Sequence, residues 1–281
     1  MFSLRSWIAK GGMLGLFIFV NLFLGAPSAQ PKTMTVRLQR WLEIRAIAGQ
    51  VQRLSGGRSE AAQVGQRLAK VGEGLRTGPK SKATLAIDSG IGFVQVGENA
   101  EFEIQQLQVV QGGMQTQLKV IRGQVRLKVR PFTHPKSNIR INTPAGVAGV
   151  RGTEFGVGVN PSGKTGIATL EGAVVASAQG REVDVAKGYQ SVIPVGLPPK
   201  PAVPLRDDPS LDLQLLLADG STVQLMGQTD EVNVVTIGNQ ILEPDSDGTI
   251  TFQGLLPADR QLAVTITTPL GKTRDYNLRI P

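Results

Sequence analysis

The chain of 281 residues contains no cysteine. That absence excludes a disulfide framework, a thiol nucleophile, a cysteine metal site and a lipid-modified cysteine anchor. Histidine occurs once, at His134. It cannot join a second histidine around a metal, and its Thr133-His134-Pro135 setting reads as a turn. Aromatic residues make up 5% of the chain, and none interleave the main run of cations, so a stacking surface for single-stranded nucleic acid is not expected. The apolar run Met13 to Leu24 is shorter than the roughly 20 residues of a membrane-spanning helix.

What the chain has in abundance is glycine, 34 residues, and short alternating apolar runs. This pattern predicts an all-β protein long enough for two domains. Arg5 and Lys10, then MLGLFIFVNLFL, then Gly25-Ala26-Pro27-Ser28-Ala29 follow the layout of a secretory signal peptide over residues 1–29. The remainder is expected outside the cytoplasm, periplasmic or extracellular in a bacterial envelope. Membrane contact is expected only through that first segment, if it stays uncleaved. The formal charge is +8.

Strands are expected where Leu42, Ile44 and Ala46 alternate, with Trp41 in the core, and over Lys82 to Ile87, Ile91 to Val96 and Glu101 to Gln108. The spacing suits a roll, sandwich or solenoid of β-structure over residues 35–193. In QLKVIRGQVRLKVR, Val125, Leu127 and Val129 point one way, while Arg126, Lys128 and Arg130 point the other, with Arg122 nearby. Such a row either blunts edge pairing as a solvated face or meets an anionic partner.

Pro194 to Pro209 carries six prolines in sixteen residues and reads as a semi-rigid linker, residues 194–210, spacing two domains apart. Residues 211–281 hold hairpin signals at Asp219-Gly220 and Gly238-Asn239 between strand-like runs. They resemble bacterial immunoglobulin-like modules, which implies a small β-sandwich of six or seven strands.

Three motifs invite chemistry and yield none. Gly158 to Thr165 matches the phosphate-loop pattern G-x-x-x-x-G-K-[ST], but Gly166 to Val175 reads as strand where a helix would have to begin. Asp245-Ser246-Asp247-Gly248 opens like a calcium loop, yet its closing position is Leu256. Glu98, Glu101 and Glu103 supply carboxylates with nothing to fix their separation. No catalytic, cofactor-binding or metal-binding residue is therefore assigned, and neither nucleotide nor nucleic acid is expected as a partner.

The most distinctive stretch is Asn138 to Val159, NIRINTPAGVAGVRGTEFGVGV. Pro144 biases Thr143 toward an extended conformation. Gly146, Gly149 and Gly152 recur every third residue, as suits a backbone that bends tightly or packs against another backbone. Phe155, Val157 and Val159 then alternate as in a strand. Arg151 is the one fixed charge between two strand-like runs, and if buried it would have to tie several acceptors together.

Thr143-Pro144, Gly149-Val150-Arg151-Gly152-Thr153, Phe155 and then Glu171-Gly172-Ala173-Val174-Val175 resemble the FecR domain family. Gly49-Gln50-Val51, the Gly72 to Gly78 stretch, Ala83 to Ile87 and Arg122-Gly123-Gln124-Val125 extend the resemblance, so that it covers about residues 45 to 193. It implies a β-roll or solenoid-like domain with an extracytoplasmic, non-enzymatic role in signal sensing or protein binding. In the family's plan a cytoplasmic segment holds a sigma factor and the outer domain contacts a TonB-dependent receptor. Nothing of length precedes the apolar run here, so only the extracytoplasmic module is expected to carry over. The expectation is an envelope protein that binds a partner protein by a sheet edge or loop. The alternative is a structural module that binds peptidoglycan or surface polysaccharide through Arg122, Arg126, Lys128 and Arg130.

Overall fold

A computed structural model describes residues 39–238 and 240–280. The signal-peptide expectation lies outside the described residues. The described residues form one compact unit. It is built of strands, and the described residues contain no helix.

The first seventeen strands are β1 (Leu42–Ala48), β2 (Val51–Ser55), β3 (Arg58–Ala61), β4 (Arg67–Leu68), β5 (Gly74–Thr77), β6 (Lys82–Ile87), β7 (Gly92–Val96), β8 (Glu101–Val110), β9 (Gly113–Val129), β10 (Asn138–Asn142), β11 (Val147–Val150), β12 (Glu154–Val159), β13 (Thr165–Glu171), β14 (Ala173–Ala178), β15 (Arg181–Ala186), β16 (Tyr189–Ile193) and β17 (Val203–Pro204). They pair into two sheets. The first runs β4–β1–β6–β7–β9–β12–β13–β16–β17. The second runs β3–β2–β5–β8–β9–β10–β11–β14–β15. From β10 to β17 successive hairpins alternate between the sheets. The inner faces share one core, with Leu42, Leu85, Leu127, Phe155 and Ile167 from the first sheet and Leu75, Phe102, Leu118, Ile139 and Val174 from the second.

β9 belongs to both sheets. Its first half pairs with β8 and β10, its second with β7 and β12. The crossing point is Gly123, with φ of 79°. A Cβ there would lie 2.4 Å from the Ala100 Cα. Both the left-handed backbone and the close approach demand glycine. Trp41 differs from expectation. It alternates with the core residue Leu42, so it faces outward, half-buried, with the Arg67 guanidinium 4.2 Å above its ring.

The last seven strands are β18 (Asp212–Asp219), β19 (Thr222–Gln228), β20 (Val234–Ile237), β21 (Gln240–Leu242), β22 (Thr249–Leu255), β23 (Gln261–Thr267) and β24 (Thr273–Arg279). They form the sheets β18–β19–β22 and β21–β20–β23–β24 around a second core that includes Val223, Leu225, Val235, Ile250, Phe252 and Ile266.

The proline-rich segment does not space the modules apart. Part of it, β17, pairs with Tyr189 and Gln190 of β16. Ser191 Oγ donates to the Lys200 carbonyl at 2.7 Å, and the Lys200 amide donates to the Val192 carbonyl at 2.8 Å. At the far end Asn233 Nδ2 donates to the Asp208 carbonyl at 3.0 Å. Its fixed backbone angles suit an extended chain laid along a sheet edge as well as they suit a free spacer.

Replacing Gly123 by alanine is expected to cost about 2–4 kcal/mol, from the strained backbone together with the steric clash. Urea unfolding of the variant and the parent protein, with the midpoint and slope compared, measures it.

Candidate functional site

The distinctive stretch builds two opposite turns and the strands between them. Thr143 to Gly146 is the turn from β10 to β11. Thr143 Oγ1 donates to the Gly146 carbonyl at 3.0 Å, and the hydroxyl of Thr165 donates to Thr143 Oγ1 at 2.9 Å. Pro144 is exposed on this turn, and the Gly163 backbone packs on its ring. Gly149 lies on the outer face of β11, opposite Arg140 and Val175, whereas Val150 points into the core.

At the other end Arg151, Gly152 and Thr153 carry the chain from the second sheet into the first. Gly152 has φ of 81°, and a Cβ on it would lie 2.3 Å from the Pro131 Cα. The Thr153 carbonyl accepts from the Val129 amide at 2.9 Å. Glu171 and Gly172 form the return corner, and a Cβ on Gly172 would press on Thr153 Cγ2 at 2.7 Å. Thr153 is buried, and Phe155 anchors the corner in the core at 0% exposure. Arg151 is exposed, and among the described residues it makes no ion pair. It is therefore no buried tie. The motif places a solvent-facing cation on a corner held by backbone contacts. Arg130 lies beside it, also exposed and without an ion pair among the described residues, and its carbonyl is 3.0 Å from the Gly152 Cβ position.

The other expected cations are paired, Arg126 and Lys128 with one shared carboxylate and Arg122 only in part. Arg126 and Lys128 both bind Glu154, Lys128 at 2.9 Å. Arg126 also reaches the Leu270 carbonyl at 3.3 Å. Arg122 lies 3.3 Å from Glu101, which Arg76 already holds with two bonds of 2.9 and 3.0 Å. The row on β9 is thus a mixed-charge face rather than a continuous cationic one. Register explains this, since β12 places Glu154 directly opposite Lys128.

Burial pushes the Glu154 carboxyl upward, but bonds from Lys128 and Arg126 outweigh it and hold the group below its ordinary 4.5. A depressed carboxyl contributes stability above its unfolded value and loses it as pH falls through the folded value.

The outer face of the first sheet is smooth where Gly156 and Gly158 of β12 meet Gly166 and Ala168 of β13. The C-terminal module is seated there. A Cβ on Gly156 would stand 1.8 Å from the Pro269 carbonyl oxygen, and one on Gly166 would stand 2.9 Å from that of Val232. Gln124 Nε2 donates to the Pro269 carbonyl at 2.8 Å. Gln190 Nε2 donates to Asp230 at 2.9 Å, and Lys200 pairs with Glu231 at 2.6 Å. Lys164, from the phosphate-loop lookalike, is almost buried. Its amine donates to the Pro244 carbonyl and pairs with Glu243 at 3.4 Å. The lookalike is a hairpin turn whose lysine docks the second module. Among the described residues no cluster of histidine or carboxylate side chains has the spacing to hold a metal.

Sequence reasoning missed a second surface. On the outer face of the second sheet, Gln106 and Gln108 of β8, Gln115, Gln117 and Lys119 of β9, and Asn138, Arg140 and Asn142 of β10 stand in register. Their signal was present as alternation within Gln106–Gln108 and Gln115–Lys119. What the sequence did not show was that the three strands are neighbours, because β9 and β10 pair in parallel.

Residues 73–175 match the model of the FecR protein family. That span contains the Arg151 corner and the first half of β14. It is narrower than the resemblance read from the sequence and leaves the C-terminal module outside. No curated protein matches the chain.

Two outcomes are expected. Gly156→Val should unseat the C-terminal module at a cost of about 1–3 kcal/mol, read as faster proteolysis within residues 194–210 and lost amide protection at 268–271. Glu154→Gln should lower stability by about 1–3 kcal/mol near neutral pH, and the deficit should shrink as pH falls below about 4.5. Denaturant titrations of both proteins across pH check it.

Proposed function

We propose that this protein is an exported, non-enzymatic envelope protein of the FecR type that binds an acidic partner protein through the Arg130–Arg151 corner. The observation that carries the reading is the coincidence of the family match with this corner, where two exposed arginines share one rigid turn. Every other motif residue there serves the fold: Phe155 and Val150 in the core, Gly152 and Gly172 at backbone contacts. Two exposed guanidiniums carried on a corner whose backbone is held by close contacts suit bidentate recognition of carboxylates. The export reading rests on the basic, apolar and small-residue order of residues 1–29. The C-terminal module is read as immunoglobulin-like on its two sheets and single core, and as a brace on the first module.

Crosslinking the protein in place in the envelope should trap one protein partner. Arg130→Glu combined with Arg151→Glu should reduce that adduct by about tenfold or more. Recovery of no protein adduct at several ionic strengths, or an adduct unchanged in the double variant, overturns the reading.

The amide face of the second sheet favours one alternative, binding of a hydroxyl-rich envelope polysaccharide. Amide groups both donate and accept, as sugar hydroxyls require. Sedimentation with cell-wall polymer that persists in the arginine double variant but is lost on Gln117→Glu with Arg140→Glu would assign that role to this face.

A further inference from the structure

A cleft of about 260 Å³ lies where the two modules meet, beside the kink of β9. Ile121 and Val159 wall it from the first module, and Val234 and Ile241 from the second. Two opposite charges border these apolar walls, Glu98 and Arg122. Neither charge is fully used within the protein. Arg122 offers one nitrogen to Glu101 at 3.3 Å, in competition with the shorter double bond from Arg76. Its Nε and Nη1 have no partner among the described residues. Glu98 accepts the Lys80 amide through Oε2 at 2.7 Å, and its Oε1 has no partner among the described residues.

We infer that this cleft binds a small zwitterion with an aliphatic body, a free amino acid or a dipeptide. Its carboxylate would face Arg122, its ammonium Glu98, and its side chain the four aliphatic walls. The class follows from the chemistry. A purely apolar ligand would cover the free nitrogens of Arg122 and the free oxygen of Glu98 without pairing them, which is costly. A simple anion would meet Glu98, and a simple cation would meet Arg122. The volume falls just below the roughly 300 Å³ at which pockets for drug-sized ligands begin, so the ligand is small. Apolar walls with a few convergent polar groups at a domain junction are the usual setting of such a site.

Both modules supply walls, so the site exists only while the C-terminal module is seated on Gly156 and Gly166. A ligand held there stabilises the docked arrangement by mass action. By linkage, anything that unseats the module weakens the ligand.

The test is calorimetric titration of the mature chain with L-leucine and L-valyl-L-leucine, and with the N-acetyl and C-terminal amide forms of the dipeptide. At least one of the two zwitterions should bind and raise the melting temperature. With the dipeptide, each blocked form should bind about tenfold or more weakly. In Arg122→Gln the penalty for the amide should vanish, and in Glu98→Gln the penalty for N-acetylation. Both side chains reach solvent, and an unchanged melting temperature of each unliganded variant would verify that it folds. Arg122→Lys should retain part of the carboxylate preference. Absence of heat and of any melting shift with both zwitterions at millimolar concentration overturns the inference. So does binding that neither variant alters. The partner-protein adduct at Arg130 and Arg151 is read separately, so failure of one leaves the other standing.

Discussion

The carbonyl oxygen of Pro269 occupies the place where any side chain at position 156 would stand. That contact is possible only because β12 and β13 present glycine on their outer face while Phe155, Val157 and Ile167 fill the core on the inner one. Much else depends on it. It lets Gln124 reach the Pro269 carbonyl and Arg126 the Leu270 carbonyl. It brings Lys164 under Glu243 and closes the walls of the cleft at Val159 and Val234. A strand with side chains on both faces would hold the second module off by the width of a methyl group or more, and polar groups now paired across the junction would face one another through water.

Two carboxylates each hold two cations around β9. Glu101 takes Arg76 and, more weakly, Arg122, while Glu154 takes Arg126 and Lys128. Glu101 also titrates below its ordinary value, mainly through the bonds from Arg76. Of the cations in the corner motif and on the outer face of β9, Arg130 and Arg151 are those left without an ion pair among the described residues.

Period-two alternation located most strands well. The strand expected at Lys82 to Ile87 is β6, and that expected at Glu101 to Gln108 lies within β8 (Glu101–Val110). These positions are legible because a half-buried strand must alternate. Trp41 was misplaced because a large aromatic ring can be covered by a neighbouring guanidinium as well as by a core. For a related reason the sequence leaves two readings of the β9 cations open: their orientation follows from alternation, but their partners come from β8 and β12, whose registers no local rule sets. The proline-rich segment was misread because proline restricts conformation without saying what the extended chain lies against.

Local patterns in the chain specify an all-β protein, many of its turns and the corner motif. Each is a local consequence of side-chain shape, backbone freedom and alternation. Long-range packing sets that Arg151 is exposed, that Glu154 pairs with Arg126 and Lys128, that glutamines and asparagines from three strands share a face, and that glycines in β12 and β13 seat a second module. Such facts join residues far apart, as Gln124 and Pro269 are, 145 positions from each other. Contacts over that separation are selected by the packing of whole sheets, which no window of neighbouring residues contains.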